Sequence, residues 1–278
     1  MAPQFSIVTP SFLQPQYLRL CSASVLDQGG VTVEHIIQEG GGVGGLDGWS
    51  PSDPRVHLCV EPDSGMYDAV NRGFSKARGL ILGHLNADEQ YLPGALSTVR
   101  QVFEDNPDLD VIFGDVVLLN SHWIPVSYRR VILPNKLHTK RVHLGTMTCS
   151  TFFRRRLLDK NLYYPTEWKT VGDAVLVLKW LKSGVTMQTI RHPLAAFVFT
   201  GANLGNSATA TEEGRRFAGQ HKTNYWIGLA AKAQHRILKL MAGAYRRRDI
   251  NIQIYLPGHE SNRTVVTAKS VGFSWPRQ

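Results

Sequence analysis

Several things are scarce in this sequence of 278 residues, and each scarcity removes a class of protein. Cysteine occurs three times, at Cys21, Cys59 and Cys149. An odd, widely spaced set fits neither a disulfide framework nor a zinc-ligand pattern, and a reducing compartment is expected. Long apolar runs are missing: no stretch approaches the roughly 20 residues needed to cross a bilayer. Met1 to Thr9 shows no basic stretch followed by an apolar core, so no signal peptide is expected and a cytoplasmic location is. Without secretion the sequon Asn262-Arg263-Thr264 has no chemistry to do. Internal repeats and low-complexity segments are lacking. Acid is also in short supply: 22 Asp and Glu stand against 31 Lys and Arg, a formal charge of +9. That balance favours an anionic partner, whether nucleic acid, a phosphorylated small molecule or an anionic membrane surface. The basic residues are scattered and interleave with no aromatic patch, so no nucleic-acid partner is expected.

What is present is the composition of an ordinary globular protein, 43% hydrophobic and 19% charged, long enough for one large α/β domain. Strand-like and helix-like runs alternate. Phe5 to Thr9 is rich in strand formers; Tyr17, Leu18, Cys21, Val25 and Leu26 then fall on one helical stripe ended by Gly29-Gly30. Val33–Gln38, Val56–Val60, Leu80–Leu85 and Val111–Phe113 read as further strands. Met66–Ala77 and the residues after Pro93 read as helices. Such alternation predicts a mostly parallel sheet flanked by helices. A soft boundary is placed at residue 200. Residues 1–200 form the main domain, and 201–278 a loop or lid (Gly201 to Thr211) followed by a basic helical extension from Lys232 to Arg248.

In such sheets ligands gather at the carboxyl ends of the strands. Four strand-end segments are therefore candidates: Thr9-Pro10-Ser11, Gln38-Glu39-Gly40-Gly41-Gly42, Glu61-Pro62-Asp63-Ser64-Gly65 and Leu85-Asn86-Ala87-Asp88-Glu89. Three of them carry carboxylates. Like charges held close are costly unless a cation sits between them, and a hard divalent ion with oxygen ligands would serve.

Taken in order, Thr9-Pro10-Ser11-Phe12, Ser24-Val25-Leu26-Asp27-Gln28, Glu61 through Gly73, Leu82 through Asp88 and Tyr91 through Leu96 resemble the family-2 glycosyltransferases of the GT-A fold. The resemblance covers residues 5–115 and continues more weakly to about 185. It implies an inverting transfer of a hexosyl or N-acetylhexosaminyl group. The donor would be a nucleotide diphosphate sugar, UDP-linked, and the acceptor a hydroxyl of a glycan or lipid-linked precursor in polysaccharide biosynthesis, with Mg²⁺ or Mn²⁺ assisting. Carried over by position, Thr9, Pro10 and Ser11 match the strand end that holds base and ribose. Glu39 stands where an Asp usually recognises the base. Asp68 and Asn71 match the helix approaching the nucleotide and donor sugar. Asn86-Ala87-Asp88 matches the Asp-X-Asp motif, with Asn86 in place of the first acid and Asp88 the metal ligand. Gly172-Asp173, opening a helix, resembles the acidic site that supplies the general base.

Each of these residues also has a plain structural use. Asp88 could cap the turn before Pro93, and Asp173 its own helix, a role compatible with catalysis. Gly40 to Gly45 matches G-x-G-x-x-G, but Leu46 to Pro51 opens no helix, so a dinucleotide site is set aside for a flexible loop. One arginine of Arg154-Arg155-Arg156 is placed to meet a phosphate, with a solvated face the alternative. His84, His143 and His192 are read as structural. The basic amphipathic stretch around Arg236 to Met241 either packs on the main domain or makes a peripheral contact with an anionic membrane. The remaining rivals are a nucleic-acid binder, an NAD-dependent oxidoreductase and a relative that binds nucleotide without turnover.

Overall fold

The computed structural model describes residues 2–141, 144–200, 203, 207–221 and 224–275. Its centre is a nine-stranded sheet in the order β3-β2-β1-β4-β8-β6-β9-β5, with β7 paired to β6. The strands are β1 (Phe5–Ser11), β2 (Val33–Glu39), β3 (Val56–Val60), β4 (Ile81–His84), β5 (Glu89–Tyr91), β6 (Val111–Leu119), β7 (Pro125–Arg129), β8 (Thr151–Arg154) and β9 (Met187–Val198). Pairings β3–β2, β2–β1, β1–β4 and β6–β9 are parallel, and β4–β8, β8–β6, β6–β7 and β9–β5 antiparallel. The α/β class holds, while the parallel order expected throughout dominates only the N-terminal half.

β1 is buried at all seven positions because helices cover both sides of the sheet. Phe5 and Ile7 face one layer with α1 (Pro15–Leu26) and α3 (Ala95–Asp105), through Cys21, Val25, Val99 and Phe103. Val8 faces the other with α2 (Met66–Lys76) and α5 (Gly172–Lys182), through Val70, Phe74, Leu176 and Trp180. A strand whose side chains alternate between two apolar layers has nowhere to slip, since a one-residue shift would exchange the two faces. The arginine run is consumed at the opposite end of the sheet from the strand ends considered above. Arg154 pairs in register with Ile81 at the start of β4, where its guanidinium donates to the carbonyls of Leu109 and Phe103. Arg155 donates to the Ala77 carbonyl and Arg156 to Asp110. The expectation that one of them meets a phosphate is corrected.

After β9, α6 (Ala208–Gln220) precedes α7 (Tyr225–Met241), and the short α4 (Lys136–Arg141), from before β8, packs against α5 and α7. Of the loop or lid read at Gly201 to Thr211, residues 201, 202 and 204–206 lie outside the described residues, and its last part is the first turn of α6. The helical reading of Lys232 to Arg248 is too long. The helix ends at Met241, and Arg248 opens a hairpin, β10 (Arg248–Leu256) and β11 (His259–Val271). Strand alternation decides this. Ile250, Ile252 and Ile254 point inward onto Leu92, Val117, Leu119 and Val198, with Asn251 and Gln253 outward. Arg263, the middle residue of the unused sequon, pins the hairpin to the N-terminal region. It donates to Asp27 Oδ1 at 2.7 Å and to the carbonyls of Tyr91 and Gln253, and stacks on Tyr255, whose hydroxyl also donates to Asp27.

Candidate active site

A cleft of about 710 Å³ opens over the ends of β1 and β4 and the N-terminus of α2. Pro10 and Ser11 from β1 and Asn86, Ala87 and Asp88 after β4 line it, as the strand-end rule predicts. Asp173 faces the same cleft from the first turn of α5. Six of the ten expected site residues therefore converge. The other four stand behind it. Thr9 bonds to His35 Nε2 at 2.8 Å within the core. Asp68 accepts from the Ser64 amide and pairs with Arg72. Asn71 embraces the Tyr164 backbone, donating to its carbonyl at 2.8 Å and accepting from its amide at 3.1 Å.

Glu39 is wholly buried and serves the backbone. One carboxylate oxygen accepts from Ser11 Oγ at 2.6 Å, the other from the amides of Gly41 at 2.7 Å and Leu13 at 3.3 Å. The acid that reaches the cleft on this rim is Asp63, packed against Gly40.

Asp88 and Glu89 are adjacent carboxyls, the first half-buried and the second buried. Desolvation pushes both upward, and the Asp88 charge raises Glu89 further. Asp88 Oδ2 accepts from the Asn203 amide at 3.0 Å, and Glu89 Oε2 from the Asn86 amide at 2.6 Å. Asn86 Oδ1 can only accept, so His84 Nε2 donates to it at 2.9 Å and Nδ1 takes the Tyr164 hydroxyl at 3.2 Å. Burial holds that imidazole neutral, its pKa lowered to about 4, confirming the structural reading of His84. His192 is exposed and His143 lies outside the described residues. The Cys21 and Cys149 thiols are pushed up by burial and stay protonated, which removes thiolate chemistry here.

The donor set was tested for a metal. Asp88 is one cleft-facing carboxylate, the Asn86 oxygen is engaged by His84, and no group of three His, Cys, Asp or Glu gathers among the described residues. That is no protein cage. It does fit a hard ion held by one carboxylate together with water and the phosphates of a substrate.

Asp173 is half-buried at the cleft wall, and desolvation raises its pKa to about 6, against the lowering effect of the amides of Ala174 and its own residue. The helix N-terminus favours the charged form, yet desolvation wins. Ala174 N–H donates to its Oδ1 at 2.7 Å. Tyr67, from the Met66-Tyr67-Asp68 segment, fixes the entry of α5. Its hydroxyl donates to the Thr170 carbonyl at 3.2 Å and accepts the Asp173 amide at 3.2 Å. Its ring passes so close to Gly172 that a Cβ there would meet Cε2 at 2.5 Å, so only glycine fits.

Sequence reasoning missed three further contributors. Glu213 of α6 is buried and accepts the amides of Lys169 (2.7 Å), Thr170 (2.8 Å) and Val171 (3.3 Å), capping the segment that delivers Asp173. Arg129 lines the cleft, over the ring of Trp275. Phe199 packs edge-on to the same indole at 5.1 Å. No local signal marks them: each acts on residues far away in sequence.

Relatives include an uncharacterized glycosyltransferase of Nostoc sp., 24% identical over 81% of this chain and 74% of its own length. A PGL/p-HBAD biosynthesis glycosyltransferase of Mycobacterium bovis is 30% identical over 44% of this chain, which spans about half of that protein. Among solved structures, S. aureus TarS 1–349 in complex with UDP-GlcNAc superposes with a TM-score of 0.56 at 14% identity, over 86% of this chain and 73% of that one. The same TarS fragment with UDP gives 0.53 at 13% identity, over 98% and 100%. The likeness carries the GT-A fold. The profile described as glycosyl transferase family 2 matches residues 6–162, more than half of the chain, and the protein is therefore a member of that family and a glycosyltransferase.

Proposed function

We propose that the protein transfers a sugar, with inversion, from a nucleoside diphosphate donor to a hydroxyl of a glycan or lipid-linked acceptor, with Asp173 as the general base. One observation carries this reading: a half-buried carboxyl with its pKa raised to about 6 shares a cleft with the strand-end residues Pro10, Ser11 and Asp88. A base near neutrality is matched to deprotonating a hydroxyl as it attacks an anomeric carbon, and proton transfer of this kind contributes about 10² to 10⁴ in rate. Asp173 is held by Tyr67 on one side and by the Glu213-capped segment on the other, which keeps the base oriented before the acceptor arrives. TarS, solved with UDP and UDP-GlcNAc, supports a UDP-linked donor. Asp63 is the acid on the β2–β3 rim placed for the base, with Glu39 holding the Gly40-Gly41 backbone beneath it. Asp88 would hold Mg²⁺ or Mn²⁺, which would neutralise charge on the departing diphosphate. Asn203 fixes that carboxylate, and His84 fixes Asn86 beside it.

The test is a thermal-shift panel of UDP, GDP, dTDP, CDP and NAD, each with and without Mn²⁺. Stabilisation by UDP that grows with Mn²⁺ and is lost in Asp88→Ala is the expected result. No shift with any diphosphate, or a shift with NAD alone, would overturn the donor assignment.

A further inference from the structure

α7 carries two apolar stripes where a packed surface helix needs one. The inner stripe, Gly228, Ala231 and His235, is buried, with the His235 ring 4.8 Å from that of His138 on α4. The outer stripe is Trp226, Leu229, Ala233, Ile237, Leu240 and Met241, an arc of about 120° at 3.6 residues per turn. Its large members are strongly exposed: Trp226 69%, Ile237 57%, Leu240 67% and Met241 76%. Apolar side chains repeating at helical spacing and held in water cost free energy unless something covers them.

The charges say what that cover is. Lys232, Arg236 and Lys239 project along one flank of the stripe, and exposed Arg246 and Arg247 follow just past its end. From Tyr225 to Arg248 the sequence holds no Asp or Glu. An apolar stripe whose charged neighbours on the helix are all cations suits an anionic lipid surface, with the stripe at the headgroup boundary and the cations among the headgroups. A second copy docking through the same stripe would instead bring these cations against each other. The placement relative to the cleft fits as well. Burial and the neighbouring Arg129 guanidinium hold the Lys239 ammonium below its usual range, so the last turn of α7 lies beside a residue that lines the cleft.

We propose that α7 is a membrane-docking helix that seats the enzyme on an anionic lipid surface through Trp226, Leu229, Ile237, Leu240 and Met241. The surface is independent of the donor reading. Among the described residues no helix is long and apolar enough to cross a membrane, so the attachment is interfacial.

Vesicle flotation of the full chain tests it, with phosphatidylcholine alone and phosphatidylcholine mixed with phosphatidylglycerol. The wild type should float with the mixed vesicles. The triple variant Trp226→Ser/Ile237→Ser/Leu240→Ser should bind at least about tenfold more weakly. Lys232→Gln/Arg236→Gln should erase the preference for the anionic lipid. Because all five side chains are exposed, both variants should keep the wild-type melting midpoint and its UDP response, which separates loss of docking from misfolding or a failed donor assignment. Wild type that floats with neither vesicle, or a triple variant that floats like wild type, would overturn the proposal. So would a sedimenting dimer that the triple variant dissolves without any flotation, since a second copy would then be the cover.

Discussion

The N-terminal half and the last third of the chain serve one cleft in different ways. From β1 to β5, acids and amides stand at strand ends, and the residues that orient them are near in sequence: His84 beside Asn86, and the Gly40-Gly41 loop beside Glu39. From Asn203 onward the contributions cross the fold. Glu213 caps residues 169–171, Asn203 reaches Asp88 across 115 positions, and Arg263 reaches Asp27 across 236. The first region supplies the strand-end groups of the cleft; the second supplies contacts that hold them and the segment delivering Asp173. A strand-end loop displays its side chains wherever the sheet forms, whereas a brace is useful only after distant elements have docked.

The comparison is broken most sharply at Asp173. Asp173→Asn should lower turnover about 10³-fold while UDP-dependent thermal stabilisation survives, and a variant retaining full activity would remove the assigned base. For the wild type, single-turnover rates should fall as pH drops through about 6, where the raised carboxyl takes up its proton. The same shift has a stability consequence of opposite direction. A carboxyl raised from 3.8 to about 6 binds more protons folded than unfolded between those values, so its favourable contribution is complete below about 4 and is lost as pH rises through 6. Asp173→Asn should therefore be more stable than wild type at pH 8, by up to about 3 kcal/mol, and indistinguishable from it near pH 4. Calorimetric melts at the two pH values decide it.

The brace is tested at Glu213. Glu213→Ala leaves three part-buried amides without their acceptor and should cost about 2 kcal/mol. Turnover should drop about tenfold with UDP affinity unchanged, because the loss is orientation of the base and not donor binding. If Glu213 is merely structural, stability falls and turnover per folded molecule does not. Arg263→Ala removes the hairpin clamp and should cost about 2 kcal/mol in denaturant melts, with a smaller effect on rate, since Asp27 keeps Tyr255 and partial access to water. The smallest effect is expected at Arg156→Ala. Its pair with Asp110 is partly exposed and far from the cleft, so less than about 1 kcal/mol should be lost and UDP binding should be unaltered.

Much of the chain up to α5 was legible in the sequence. β3 begins and ends where the Val56–Val60 run does, α2 closes one residue short of Ala77, and α5 opens at Gly172. Pro10, Ser11, Asn86, Ala87, Asp88 and Asp173 reach one cleft because β1 and β4 run parallel side by side and their ends share a rim. Thr9, Glu39, Asp68 and Asn71 were legible as polar and near the rim, yet not as facing away from it. Direction depends on what lies behind each residue: His35 for Thr9, the Gly41 amide for Glu39, the Tyr164 backbone for Asn71. The hairpin carried a readable signal, Ile250, Ile252 and Ile254 at period two before Pro257-Gly258. It was obscured by the basic helical pattern running into it.

By itself, then, the sequence determined the alternation of strands and helices, the strand-end chemistry and the family, because period, turn residues and motif order are local properties of the chain. Tertiary structure alone decided which acids face the cleft, that burial poises Asp173 near neutrality, and that α6 and the hairpin brace the site. Those are consequences of desolvation and of hydrogen bonds between residues that meet only when the sheet has closed.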